Sequence, residues 1–136
     1  MASTTPTKTA DSEKITLNLG FVDLGRIDLL VQEGFYSNRS DFIRTAIRNQ
    51  IDSHGEIVTR SIARNTMDLG LRHVSRAELQ ALRDKGELLH ISVVGLARIA
   101  ADVTPELASA TIGSITVLGA LQASDDIRKA LADRIH

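Results

Sequence analysis

Apolar and polar residues alternate strictly from Lys14 to Leu19, close to the start of the chain. The apolar positions of this segment are Ile15, Leu17 and Leu19. The polar positions are Lys14, Thr16 and Asn18. Because successive side chains of a β-strand point to opposite faces, this period of two predicts a half-buried strand that ends at Gly20.

Two amphipathic helices are predicted to follow this strand. The first covers about residues 24–33, with Asp23 as its candidate N-cap and Gly34 as its stop. The second continues to about Ser53 behind Asn38, a favoured N-cap residue. The apolar stripe of the second helix consists of Phe42, Ile43, Ala46, Ile47 and Ile51.

The local pattern is weaker beyond His54 and Gly55, where the first unit is predicted to end. Residues 56–66 are compatible with a helix, and Met67–His73 alternates loosely, as in a strand. A short helix is then predicted over residues 76–85. Its expected N-cap is Ser75 and its expected stop is Gly86.

The last fifty or so residues contain an internal repeat. Residues 91–107 align without gaps to residues 115–131, at an offset of 24. A period of this size is typical of stacked, strand-containing units such as solenoids. Met67–Leu79 is a candidate for a degenerate first copy. Gly95 and Gly119 occupy matching positions of the two copies and indicate bends or points of close packing.

The composition excludes several classes of function. The chain has no cysteine, which excludes disulfides and thiolate metal sites and fits a cytoplasmic protein. Aromatic residues make up 3%, too few for an aromatic platform that stacks single-stranded nucleic acid. No signal peptide or membrane-spanning run is expected. Because the net charge is −1, a DNA-binding surface requires positive side chains to lie together, since the chain has no overall excess of them.

A lone strand next to two short helices cannot be stable, because its backbone would be unpaired and its apolar face exposed. An antiparallel pairing with a second copy solves both problems. The ribbon and the second helix would then share a dimer core made of Ile15, Leu17, Leu19, Phe42, Ile43 and Ile47. The polar positions Lys14, Thr16 and Asn18 would form the outer face of a two-stranded ribbon, which fits the major groove of double-stranded DNA. The alternative is an ordinary polar face in contact with solvent.

The start of the second helix is a candidate site for a phosphate group. A helix N-terminus attracts anions through its backbone N–H groups. Asn38, Arg39 and Ser40 supply side-chain donors at the same point. Such contacts fix the register of a protein on DNA without reading sequence. The alternative here is an ordinary capped helix.

The strand Lys14–Leu19, the turn Gly34–Tyr36 and the segment Asn38-Arg-Ser-Asp-Phe-Ile-Arg44 together resemble the ribbon-helix-helix repressors of the MetJ/Arc/CopG type. The resemblance covers residues 13–54. It implies base reading by the outward ribbon residues Lys14, Thr16 and Asn18. It also implies phosphate contacts by Asn38, Arg39 and Ser40, in a homodimeric transcriptional repressor.

The sequence thus predicts the α+β fold class, with an intertwined ribbon-helix-helix dimer followed by a small, β-rich α/β domain that contains the repeat. The predicted parts are a flexible arm over residues 1–12, the DNA-binding and dimerisation domain over 13–54, and a C-terminal domain over 55–136. Nine apolar residues of the last part require burial; they are Val93, Val94, Leu96, Ile99, Ile112, Ile115, Val117, Leu118 and Leu121. The C-terminal domain is therefore expected to assemble dimers into tetramers or larger oligomers, or to hold a protein partner or effector.

No chemistry-bearing cluster is found in the C-terminal half. The four histidines are scattered, and Asp102 and Asp126, which match within the repeat, are expected at a turn or cap. No catalytic residue, metal site or cofactor is predicted, and the protein is not expected to be an enzyme. Two alternatives to a repressor stay open: an antitoxin that represses its own operon, and a scaffold protein that polymerises through the repeat.

Overall fold

The computed structural model describes residues 12–136, so the arm predicted for residues 1–12 lies outside the described residues, Ser12 excepted. The described chain forms two compact units, residues 12–60 and residues 61–136. Helices and strands are both present, as the α+β class requires. None of the helices in the described chain is long and apolar enough to cross a bilayer.

The first unit contains helices α1 (Phe21–Gln32) and α2 (Arg39–Ser53) and the start of α3 (Gly55–Arg64). Helix α1 ends just before Gly34, the predicted stop, which has a φ of 89°. The N–H of Gly34 donates to the carbonyl of Val31, and the N–H of Phe35 to that of Leu30, both at 3.0 Å. These paired bonds are the Schellman arrangement, which satisfies carbonyls that the helix end leaves free.

The prediction that Asp23 caps α1 is wrong. The helix begins at Phe21, and Gly20 is its N-cap, with no side-chain hydrogen bond. Asp23 instead lies in the first turn, where a carboxylate interacts favourably with the positive end of the helix. Arg26 is within 3.9 Å of it on the next turn, and both side chains are exposed.

The strand predicted over Lys14–Leu19 is not formed by the single chain. Residues 12–20 carry neither helix nor strand. A strand exists through hydrogen bonds to a neighbour, and no other part of the described chain pairs with this segment. In a single chain, therefore, the apolar and polar positions of this segment do not alternate between buried and exposed.

The second unit is built of alternating strands and helices. After the end of α3 come β1 (Asp68–Val74), α4 (Arg76–Lys85), β2 (Leu89–Ile99), α5 (Pro105–Thr111), β3 (Ile112–Gln122), α6 (Asp125–Ala130) and a 3-10 turn (Ala132–Arg134). The strands form one parallel sheet in the order β1-β2-β3. The predicted strand and helix within Met67–Lys85 are confirmed, with Ser75 as the N-cap of α4 and Gly86 at its end.

The pairing register of the sheet follows the offset of the sequence repeat. Gly70 pairs with Gly95, and Gly95 pairs with Gly119, so the three glycines form a column across the strands. All three have positive φ angles. An added Cβ on Gly95 would lie 2.2 Å from the carbonyl oxygen of Gly70, and one on Gly119 would lie 2.1 Å from that of Gly95. The backbones thus approach each other more closely than a side chain would permit.

The core of the second unit lies between one face of the sheet and the helices. Alternate residues of β2 face this core and are buried. The buried apolar residues are Val74, Leu79, Ile91, Val93, Ala97, Ile99, Val103, Leu107, Ala108, Ile112, Ile115, Ile127 and Leu131. Asp102 lies in a turn and Asp126 in the first turn of α6, while the helix N-caps beside them are Thr104 and Ser124.

Candidate nucleic-acid interface

The segment predicted to form the ribbon lies at the surface along almost its whole length. Lys14, Thr16 and Asn18 are exposed, as a reading face requires. The apolar positions between them are exposed too, with Ile15 at 82% and Leu17 at 61% of full accessibility. Leu19 is half-buried. One chain therefore leaves both faces of the segment in contact with water.

The helices of the first unit also present apolar side chains to solvent. Ile27 is the one fully buried residue within residues 12–60. Of the expected dimer core on α2, Phe42 and Ile43 are half-buried and Ile47 is exposed. Phe42 makes an edge-on ring contact with Tyr36, with a centroid distance of 5.0 Å.

Sequence reasoning missed part of this apolar surface. Other large apolar side chains of the first unit are exposed as well; they are Phe21, Val22, Leu29, Phe35, Ile51, Ile57 and Val58. Monomeric proteins seldom leave so much apolar surface uncovered, and patches of this kind mark interfaces. The helical spacing of α1 could have identified Leu29, but Phe21 and Val22 were hidden by the misplaced helix start.

The start of α2 has the geometry that the sequence predicted for a capped helix. The side-chain oxygen of Asn38 accepts a hydrogen bond from the N–H of Asp41 at 2.8 Å. In return, the Asp41 carboxylate accepts from the N–H of Ser37 at 2.9 Å. Ser40 is exposed in the first turn. These contacts hold the first turn of α2 in a fixed conformation at the surface.

Arg39 is engaged within the chain. Its guanidinium donates two hydrogen bonds to the carboxylate of Asp28 on α1, each at 2.8 Å. The hydrogen bond from Arg39 lowers the pKa of Asp28, and the same bond raises the pKa of Arg39. Both side chains are about half exposed. Asp28 lies eleven positions away on another helix, so no local pattern identified it as the partner of Arg39.

Two further cations lie on α2. Arg44 and Arg48 are exposed and one helical turn apart. With Arg39 they make α2 the most cationic helix of the first unit, although the whole chain has a net charge of −1. Because Asp41 and Asp52 lie on the same helix, the positive charges of α2 exceed the negative ones by one.

The histidines and carboxylates of the described chain do not converge on a metal site, since no group of three potential ligands occurs among residues 12–136. His90 on β2 is placed by its neighbour on β3, with 2.8 Å between its Nδ1 and the Oγ of Ser114. This contact links two paired strands on the surface of the sheet.

Comparison with known proteins gave one match. Residues 10–128 match the model of a family described as a Ribbon-Helix-Helix transcriptional regulator family. The match extends well beyond residues 13–54, to which the resemblance of the sequence was limited, and includes nearly all of the second unit. No curated protein and no solved structure gave a significant match.

Proposed function

Because the chain belongs to the ribbon-helix-helix transcriptional regulator family, we propose that it is a dimeric repressor that reads DNA sequence with a ribbon formed by Lys14–Leu19 from two copies. Members of this family bind DNA, typically as dimers. The finer assignment rests on the residues of this chain. It concerns which side chains pair the two copies, which touch bases and which hold phosphate groups.

The observation that carries the proposal is the incomplete first unit. Ile27 is its one fully buried residue among residues 12–60, and the apolar side chains of the ribbon segment face water. A second copy would bury them. The proposed core comprises Ile15, Leu17, Leu19, Phe42, Ile43 and Ile47. Burying a large apolar side chain is worth about 1.5–3 kcal/mol, so the six residues from each of two copies together can exceed the cost of association, about 4–15 kcal/mol.

The same pairing supplies the backbone partner that residues 12–20 lack. Once two copies of the segment are paired, the pleat directs Ile15 and Leu17 inward and Thr16 outward. The outer face then offers Lys14, Thr16 and Asn18 twice, related by symmetry. Asn can form hydrogen bonds with the edge of adenine, and Lys can donate to the acceptors of guanine. Thr can form a hydrogen bond with a base or contact the methyl group of thymine.

The start of α2 would position this ribbon by binding phosphate. Asn38 and Ser40 lie at the helix N-terminus, and Arg39 beside them is already ordered by Asp28. A half-exposed ion pair contributes little to stability, so the guanidinium can exchange the carboxylate for a phosphate group at small cost. Asp28 would thus hold Arg39 ready next to the phosphate site.

The antitoxin alternative receives less support. Antitoxin segments that bind toxins are commonly disordered until bound, whereas the second unit has a buried core of its own. A regulator remains the function that the sequence and the surface chemistry support best.

Selection from a pool of random DNA duplexes tests the proposal. The wild type should enrich a motif with two related half-sites, since the protein dimer is symmetric. The double variant Thr16→Ala/Asn18→Ala should enrich a different or weaker motif, whereas Ser40→Ala should bind the wild-type motif less tightly. Lys129→Ala, an exposed change on α6, is the matched control. Absence of any enrichment at low salt would refute the proposed function.

A further inference from the structure

The parallel sheet of the second unit is covered by helices on one face. The other face carries apolar side chains, although the sequence predicted burial for several of them. Leu69 is 72% exposed, Leu71 61% and Leu118 60%. Parallel sheets are ordinarily covered on both faces, and residues 12–136 supply a covering layer of helices on one face only.

The apolar side chains of this face form two adjacent rows across the strands, which we call the open face; Leu69, Leu71 and Leu118 are exposed and the others are half-buried. The first row is Leu69, Val94 and Leu118. The second row is Leu71, Leu96 and Ala120. Both rows lie on the side opposite the buried residues of β2, because side chains alternate along the strand.

Polar residues border the open face at both ends of the strands. At the carboxyl end lie His73, Arg98 and Gln122, with Arg98 donating to the amide oxygen of Gln122 at 2.9 Å. At the amino end lie Ser92 and Thr116, which pair with each other. Within these rows Arg98 is the one permanently charged side chain, and there is no carboxylate.

We propose that the open face packs against the open face of a second copy of this chain. The charge pattern favours this occupant. A two-fold axis in the plane of the interface and perpendicular to the strands stacks the two sheets with their strands antiparallel. Arg98 of each copy then lies opposite the uncharged Ser92 of the other and away from the other Arg98. Like charges are thereby kept apart.

The sizes of the side chains match under the same symmetry. With the axis between the two apolar rows, each residue of one row faces the other row of the partner. Leu118, the large residue of β3, then packs on Ala120, its small one. On β2, Val94 packs on Leu96. Leu69 and Leu71 of the two copies meet along β1. In every pair, a large side chain faces one of equal or smaller size.

The area of the open face explains why the second copy must already be close. Three strands about 4.8 Å apart and four rows of side chains span roughly 14 by 27 Å, or about 400 Å². Stable interfaces between free proteins bury about 800 Å² on each partner. The inference therefore rests on the proposed function, because a dimer held by the first unit supplies an effective concentration in the millimolar range.

Chemical crosslinking of the full chain tests the open face directly. The chain has no cysteine, so Leu71→Cys introduces a single reactive thiol. A short bismaleimide should join two chains of this variant efficiently. It should join Asp84→Cys, which is exposed on α4, at least about tenfold less. Adding Leu118→Asp to Leu71→Cys should abolish crosslinking, since a charge would be buried without a partner.

Two controls separate the possible failures. Far-UV circular dichroism of Leu118→Asp should be unchanged because Leu118 is exposed, and Leu118→Thr provides a second variant that keeps a strand-forming residue. Enrichment of a DNA motif by the wild type, measured separately, reports on the first unit. Equal crosslinking at residues 71 and 84, or none at residue 71 in a protein that binds DNA, would overturn the proposal for the open face alone.

Discussion

The glycine column allows a sharp test of how the second unit is built. Gly95→Ala places a Cβ 2.2 Å from the carbonyl oxygen of Gly70, at a φ of +137°. Gly70→Ala requires a similarly unfavourable φ of +115°, but its Cβ meets nothing within 4 Å. The two substitutions share the conformational strain, and only the first adds a collision between two backbones. Their difference therefore measures the close approach of the strands.

The expected magnitudes follow from these geometries. A non-glycine residue held at such a φ costs about 1–3 kcal/mol. Stiffening of the unfolded chain returns about 0.4–1 kcal/mol, so Gly70→Ala should destabilise the unit by about 1–2 kcal/mol. In Gly95→Ala the paired strands must also separate, and the total should exceed about 4 kcal/mol. A unit of this length has about 4–11 kcal/mol of stability altogether, so Gly95→Ala should leave it barely folded.

Hydrogen exchange of the β2 amides in the full chain provides the assay, because it reports on the second unit separately from the first. Exchange in Gly70→Ala should be about tenfold faster than in the wild type, and in Gly95→Ala about a thousandfold or more. If the close approach of the strands matters, the amides of Gly95→Ala should exchange much faster than those of Gly70→Ala. Exchange rates within threefold of each other would show that strain, and not contact between strands, determines the role of this column.

Three further predictions concern the first unit. Asp28→Asn should tighten DNA binding with an unchanged salt dependence, because Arg39 binds the same phosphate group but no longer has to exchange a carboxylate for it; weaker binding would argue against a phosphate role for Arg39. Asn38→Ala should destabilise the unit by about 1 kcal/mol in urea unfolding, and Asn38→Ser should restore most of this loss, since Ser also caps. The Asp28–Arg39 pair should contribute fully above pH 3.8, the usual carboxyl pKa, and fade as the pH falls through the lowered folded value; comparing wild type with Asp28→Asn across this range checks the sign.

Local signals in the sequence predicted much of the secondary structure. Asn38 and Ser75 cap their helices through their own side chains, and Gly34 and Gly86 follow the helix ends, so neighbouring residues carry the information. The start of α1 was misplaced because Asp23, a good cap by type, is three residues inside a helix that begins behind a glycine.

Contacts between distant residues could not be predicted in this way. The bidentate pair of Arg39 with Asp28 joins two helices, so the Arg39 side chain that the sequence predicted as a free phosphate donor is bound within the chain. The apolar content of β3 predicted burial, yet Leu118 is 60% exposed. Hydrophobic periodicity indicates that a side chain should be buried, but it does not indicate whether the same chain or a second one buries it.

The central claim is that two copies pair through Lys14–Leu19 into a ribbon that contacts DNA. The most direct measurement is amide hydrogen exchange of this segment in the full chain, with and without a duplex obtained by selection. The account predicts slow exchange in the free protein, because the strands are hydrogen-bonded between copies, and slower exchange on DNA. Exchange at the rate of an unstructured peptide in both samples would contradict it.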